Sequence, residues 1–299
     1  MSIRASLISF ILRRTLKKQF DTIDDVIAFR QKMDEAGDLG GATPSNVSIV
    51  PQLINNIPCE WVTTEGTDQN RVVMYLHGGG YVFGSPASHR GLAWRLAENT
   101  GARVLMVDYR LAPEDPFPSA LEDATQCYRW LLEEGFESKS IAIGGDSAGG
   151  GLALACLVNM KNLGLSLPAC GILLSPWLDL SASGESVEKN ADKDAMLTPK
   201  ALNIMAGHYL GGLDRTAPLA SPLFADLSGL PPLLIHVGSG EILLSDPEAC
   251  VKKIEDSKGE VSLKIWPNMP HVFQVLASRI PEGKVAIKEL SAFVTAHMA

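Results

Sequence analysis

The sequence has no uninterrupted apolar run approaching the roughly 20 residues that a membrane-spanning helix needs. The nearest approach, Leu7 to Leu12, is cut short by Arg13-Arg14. It is too brief for the apolar region of a signal peptide, and no small-residue cleavage site follows it. Cysteines are few and odd in number: Cys59, Cys127, Cys156, Cys170 and Cys250, with no C-x-x-C spacing. That pattern excludes a disulfide framework and a cysteine zinc site, and implies free thiols in a reducing compartment. No cluster of His and carboxylates has ligand spacing, so no metal is expected. A dense basic patch is also missing. With 26 basic against 34 acidic residues and a net charge of -8, there is no electrostatic case for nucleic acid. Arg13-Arg14 and Lys17-Lys18 fit the solvated face of an amphipathic helix. Internal repeats and low-complexity tracts are absent. These absences together predict a soluble, cytoplasmic protein without stable membrane insertion.

What is present is enough apolar material for a large core: 46% of 299 residues are hydrophobic and 20% charged. Short β-rich runs occur at 47–50, 59–63, 71–76, 103–108, 140–144, 171–175, 233–237 and 261–266. The inner ones (VLMV, ILLS, LLIHV) are continuously apolar, as parallel strands covered on both faces must be. Helical stretches at 88–100, 119–134, 147–163, 246–258 and 282–296 alternate with them. The alternation predicts an α/β fold with a doubly wound, mostly parallel eight-stranded sheet and helices on both faces. Two pieces stand outside it. Residues 1–43 read as two helices, with Ile3, Leu7, Phe10 and Ile11 and then Val26, Ile27 and Phe29 at helical spacing. Residues 184–212 interrupt the sheet pattern and end in a short helix at 199–209. The domain reading is therefore an N-terminal helical segment at 1–43 and a catalytic domain at 44–299 carrying the insertion at 184–212.

The chemistry concentrates in two glycine-rich turns. In Gly145-Asp-Ser147-Ala-Gly149, a strand ends, a G-x-S-x-G turn follows and an apolar helix begins at once. Glycines two before and two after the serine permit a sharp turn against neighbouring elements. The turn lifts the Ser147 hydroxyl above the sheet at a helix N-terminus, where negative charge is favoured. A chemically silent Gly-rich turn is the bland alternative. The second motif, His77-Gly-Gly-Gly-Tyr81, follows the strand RVVMYL. Its Gly78 and Gly79 amides, with that of Ala148, could donate to the oxyanion of a tetrahedral intermediate. Phosphate cradling competes as a reading, but no Lys follows the glycines.

HGGG, Tyr109-Arg-Leu-Ala-Pro-Glu114, GDSAGG and Ser175-Pro-Trp-Leu-Asp179 stand in this order, and together they resemble the hormone-sensitive-lipase-like esterases, bacterial family IV. The resemblance runs from about residue 70 to 275. It implies an α/β-hydrolase fold, an N-terminal helical cap and no cofactor. The triad of this fold runs serine, acid, histidine along the chain. His77 and His89 precede Ser147, His208 and His236 precede any suitable acid, and His297 ends the last helix. His271 remains, in Met269-Pro-His-Val-Phe273, similar to the family's M-x-H-x-F. Glu241, in Gly238-Ser-Gly-Glu241, stands where the family usually has aspartate. Asp246 is the rival acid, although Asp246-Pro247 reads as a helix N-cap with proline in the first position. His77 is read as fixing the oxyanion loop, Asp146 as bracing the turn, and Arg110, Glu114 and Asp179 as loop-tying ion pairs. Met196 and Tyr209 are read as core or cap lining.

The expected activity is hydrolysis of short- to medium-chain acyl esters, small-molecule substrates, by Ser147, His271 and Glu241 through an acyl-enzyme. Amide hydrolysis and a non-catalytic receptor on the same fold are the alternatives. The N-terminal helices are expected over the catalytic mouth. Packing on the far side, or pairing two copies in a homodimer, would be their other uses.

Overall fold

The computed structural model describes residues 1–23, 25–37 and 40–299. Three helices come first: α1 (Ile3–Arg14), α2 (Leu16–Asp21) and α3 (Val26–Ala36). Where the sequence suggested two helices, a break at Thr15 makes a third. Thr15 leaves the helical path, and its amide and hydroxyl both bond back to the Ile11 carbonyl. The order then runs β1 (Ser48–Ile54), β2 (Ile57–Thr63), β3 (Asp68–Leu76), α4 (Pro86–Thr100), β4 (Ala102–Val107), α5 (Ser119–Glu133), β5 (Ile141–Asp146), α6 (Ala148–Asn162), β6 (Cys170–Leu174), α7 (Ser186–Lys189), α8 (Pro199–Leu210), β7 (Leu233–Gly238), α9 (Ser245–Asp256), β8 (Val261–Trp266) and α10 (Pro281–His297).

All eight strands form one sheet in the order β1-β2-β4-β3-β5-β6-β7-β8. The β1–β2 and β2–β4 pairings are antiparallel and the rest are parallel. Strand β1 extends to Ile54, four residues past the sequence reading, in spite of Pro51. As the outermost strand it needs no amide from residue 51 on its free side. It turns into β2 through Asn55 and Asn56, both with positive φ (49° and 69°). A two-residue turn of that hand matches strand twist, and asparagine tolerates the conformation.

Alternation along the inner strands sorts side chains between two helical layers. Val73 and Tyr75 of β3 pack with Leu92 and Leu96 of α4 and with Leu290 and Val294 of α10. Val72, Met74 and Leu76 face the opposite layer, where Leu121 and Tyr128 of α5 and Leu152 and Leu157 of α6 cover them. The parallel strands β3, β5, β6, β7 and β8 all end on one edge, and the loops beyond those ends are where ligand chemistry collects in such sheets.

Asp246 corrects one local expectation. Helix α9 begins a residue earlier, so Asp246 lies inside its first turn and is not its N-cap. The buried carboxylate instead accepts from the backbone amides of Leu178 (2.8 Å) and Asp179 (3.0 Å), pinning the segment after β6. Burial pushes its pKa up to about 7, and the charge of Asp179 adds to this. Asp246→Ala would strand two buried amides, and should cost about 2–4 kcal/mol rather than the roughly 1 kcal/mol of a lost cap. A raised carboxyl pKa in the folded state means stability that is full at low pH and declines as pH rises between 3.8 and about 7. Asp246→Asn keeps an acceptor and removes the titration. Melting temperatures measured across that window should fall more steeply for the natural protein than for Asp246→Asn.

Candidate active site

Ser147 sits between β5 and α6 with φ 54° and ψ -122°, a conformation that costs energy for a residue with a side chain. Three backbone hydrogen bonds fix it: its amide donates to the Leu174 carbonyl (2.9 Å), and its carbonyl accepts from Gly151 (3.0 Å) and Trp177 (2.9 Å). The flanking glycines answer a packing demand. A Cβ on Gly149 would lie 2.1 Å from the Leu76 carbonyl oxygen, and one on Gly145 would lie 2.2 Å from the Gly149 carbonyl oxygen.

His271, in the loop after β8, places Nε2 2.9 Å from Ser147 Oγ. Its Nδ1 lies 2.7 Å from Oε2 of Glu241, in the turn after β7. Of the two carboxylates weighed, Glu241 is the one at the histidine, while Asp246 is engaged with Leu178 and Asp179. Glu241 is 1% exposed, and its Oε1 accepts from Ser175 Oγ (2.8 Å) and from the Gly238 amide. Ser175 in turn accepts from the Val272 amide (3.2 Å), so one hydroxyl joins the acid to the histidine loop. Burial lowers the pKa of His271, but the charge of Glu241 and its hydrogen bond outweigh this. With smaller help from Asp194 and Asp146, they leave it above the ordinary 6.5.

The first glycine of HGGG departs from expectation. The Gly78 amide donates to Asp146 Oδ1 (3.0 Å), so it is spent inside the protein and not offered to a ligand. Tyr75 donates its hydroxyl to the same oxygen (2.9 Å), and His89 Nε2 lies 3.3 Å from the other. Asp146 thus braces the turn as its position suggested, and it reaches the neighbouring loop as well. Burial would raise its pKa, yet the charge and hydrogen bond of His89, with the Tyr75 hydrogen bond, hold it below the usual carboxylate value. Gly79 and Gly80 come next in the loop and border the same cavity as Ser147 and His271. Gly80 is the third glycine of the motif, so the same sequence signal marks it.

His77 stacks on Tyr109 with ring centroids 4.3 Å apart, and its Nδ1 lies 2.9 Å from the Gly78 carbonyl. Burial, then the charge of His89, takes its pKa down to about 3, so the ring is neutral and Nδ1 donates. Arg110 pairs with Asp123 (2.8 Å), whereas Glu114 pairs with Arg30 of α3 (2.8 Å). Asp179 is a correction of kind: its carboxylate ties the following loop by accepting from Ser181 and Ser183, not by an ion pair. Asp194, which the sequence did not mark, is 1% exposed. It accepts from the amides of Ile242 (2.9 Å), Met196 (2.8 Å) and Leu197 (2.9 Å).

A cavity of about 110 Å³ opens beside Ser147 and His271. Leu16 and Phe20 of α2 and Met33 of α3 form one side of it, and Met196, Leu202 and Met205 form another. Tyr209 is not part of this wall; it stacks on Tyr81 at 3.7 Å between centroids.

A family profile described as the alpha/beta hydrolase fold matches residues 73–275. The chain is 41% identical over 268 residues to an acetyl-hydrolase of Streptomyces hygroscopicus, covering 90% of this chain and 88% of the relative. It is 37% identical over 269 residues to an esterase of Acinetobacter venetianus, with the same 90% and 88% coverage. A crystal structure of an esterase from the bacterial hormone-sensitive lipase family aligns with a TM-score of 0.94 at 40% identity, covering 100% of this chain and 99% of that one. With its G-x-S-x-G turn at the end of β5 and relatives matched nearly end to end, the chain belongs to the α/β-hydrolase family, among the bacterial esterases related to hormone-sensitive lipase.

Proposed function

We propose that the protein hydrolyses short-chain acyl esters of small alcohols through an acyl-enzyme on Ser147. The continuous hydrogen-bonded line from Ser147 Oγ through His271 to Glu241 carries this reading. His271 Nε2 takes the hydroxyl proton as Oγ attacks the ester carbonyl, and Glu241 holds the ring with Nδ1–H toward itself and stabilises the imidazolium. The tetrahedral oxyanion is received by the amides of Gly79, Gly80 and Ala148, because Gly78 is committed to Asp146. His271 then protonates the leaving alkoxide, the C–O bond breaks, and water repeats the sequence to release the acid and free Oγ. No step calls for a metal or cofactor.

Two observations support a short acyl group. The cavity, about 110 Å³, is smaller than an apolar cavity of about 150 Å³ that admits benzene. The Streptomyces relative is named an acetyl-hydrolase. Helices α2 and α3 serve as the cap, since Leu16, Phe20 and Met33 close the acyl side of the cavity.

Ser147→Ala should fold normally and lose about a million-fold in kcat, with loss of fluorophosphonate labelling. A variant that retains a tenth of the esterase activity would remove Ser147 from the mechanism.

Because neutral His271 is the base, kcat/KM should fall on the acid side with an apparent pKa above 6.5. Glu241→Gln should lower kcat about 10,000-fold and move that acid limb downward, since the charge that raises the histidine is gone. Asp246→Asn should leave both the limb and kcat close to those of the natural enzyme. The reverse ranking would transfer the acid's role to Asp246.

Across nitrophenyl esters of increasing acyl length, activity should decline beyond about butyrate. Phe20→Ala should shift the optimum to longer chains by enlarging the cavity. An unchanged chain-length profile would show that α2 does not bound the acyl site.

A further inference from the structure

Helix α1 buries one apolar face and leaves another open. Ala5, Ile8 and Leu12 pack on Trp266, Met269, Phe273 and Leu276. Ile3 is 89% exposed, Leu7 58%, Phe10 50% and Ile11 48%. At 3.6 residues per turn these four fall within one arc of roughly 100° on the side away from the core. Ile3, Leu7, Phe10 and Ile11 therefore do not cover the catalytic mouth, where the resemblance implied that the N-terminal segment would lie. Four large apolar side chains in one solvent-facing stripe are a costly surface unless something covers them.

The charge around the stripe says what that is. Up to Phe20 the chain has Arg4, Arg13, Arg14, Lys17 and Lys18 and not one Asp or Glu, although acidic residues outnumber basic ones in the whole. Arg4 flanks the stripe on one side and Arg13 on the other, while Arg14 lies over the Phe10 ring at 4.3 Å. Arg4, Arg14 and Lys18 are exposed. Arg13 and Lys17 also bond to carbonyls of the 191–194 segment, which ties the basic end of the helix to the body. An apolar stripe bordered by cations is complementary to an anionic lipid interface, where acyl chains receive the former and phosphates the latter.

We propose that α1 is a docking helix that lays its Ile3, Leu7, Phe10 and Ile11 face on an anionic phospholipid membrane, holding the enzyme reversibly at the bilayer surface. The binding is peripheral: the helix spans 12 residues, and among the described residues no helix is long and apolar enough to cross a membrane.

The test is co-sedimentation of the full-length protein with vesicles of phosphatidylcholine alone or mixed with phosphatidylglycerol. The natural protein should pellet with the anionic vesicles, stay in solution with the neutral ones, and be released by raised salt. The triple variant Leu7→Ser, Phe10→Ser, Ile11→Ser should lose more than ten-fold in partitioning. Each of Arg4→Ala and Arg14→Ala should cost about five-fold. Hydrolysis of a soluble nitrophenyl ester should be unchanged in all three, which separates lost docking from lost folding. Failure to pellet with anionic vesicles, or equal pelleting with neutral ones, would overturn the proposal. So would a dimer by light scattering that the triple variant converts to monomer, because the stripe would then be covered by a second copy.

Discussion

The turn that carries Ser147 lies against the end of β3 at a distance only glycine allows. Gly149 faces the carbonyls of Leu76 and His77, where a Cβ would meet them at 2.1 and 2.4 Å. Because of that contact, the HGGG loop leaving β3 and the helix leaving β5 start side by side. Asp146 then locks the pair, taking the Tyr75 hydroxyl from within β3 and the Gly78 amide just after it. The first glycine of the loop is thereby spent on structure. The loop continues past it, and Gly79 and Gly80 follow along the wall of the cavity beside Ser147. The positive φ of Ser147 is held by the three backbone hydrogen bonds on either side of it.

Four buried carboxylates organise the same edge of the sheet, and each is satisfied by groups from a different loop. Asp146 joins β3 to β5, Glu241 joins the β7 turn to Ser175 and His271, and Asp246 joins α9 to the segment after β6. Asp194 joins the 184–212 stretch to the β7 turn through Ile242. Burying a charge is costly unless partners replace the lost water. Each carboxylate therefore demands a particular loop position, and together they fix loops that would otherwise be the least constrained parts of the fold. Burial raises the pKa of Asp194 as well. Its amide partners Met196 and Leu197 border the cavity, so one side chain sets both a cavity wall and the backbone beside Glu241.

The layered core was legible in the sequence because its signal is local and repeated: all eight strands were read, with ends displaced by a few residues. The largest displacement came at β1, where Pro51 argues against a strand and only edge position permits one. Ser147 and His271 stand in local motifs, and the structure brings them together with Glu241, which stands where the resemblance implies an aspartate. Three things were not legible. Asp246-Pro247 has the composition of an N-cap, and nothing local reveals that a loop nearly 70 residues earlier offers two amides to it. The three glycines of HGGG are indistinguishable as sequence, and the commitment of the first depends on Asp146, which lies on another strand. Asp194 sits in a polar stretch, and nothing local reveals its bond to the Ile242 amide.

The N-terminal segment shows a different limit. Helix α1 is apolar at Ala5, Ile8 and Leu12 and again at Ile3, Leu7, Phe10 and Ile11, so periodicity cannot say which face is buried. Tertiary packing decides it. Ala5, Ile8 and Leu12 join the cluster of Trp266, Met269, Phe273 and Leu276, and the other stripe is left outside. In α2 and α3 the outcome is opposite: Phe20, Val26 and Phe29 are buried, and Phe20 and Phe29 pack against Phe83 of the loop after β3 at 6.1 and 5.2 Å. Arg30 adds hydrogen bonds to the carbonyls of Val82 and Ala112 and pairs with Glu114. The second and third helices are thus built into the wall of the cavity beside Ser147 by both apolar and polar contacts. The first is attached along one side only, and its outward side combines apolar bulk with positive charge in a protein whose net charge is negative.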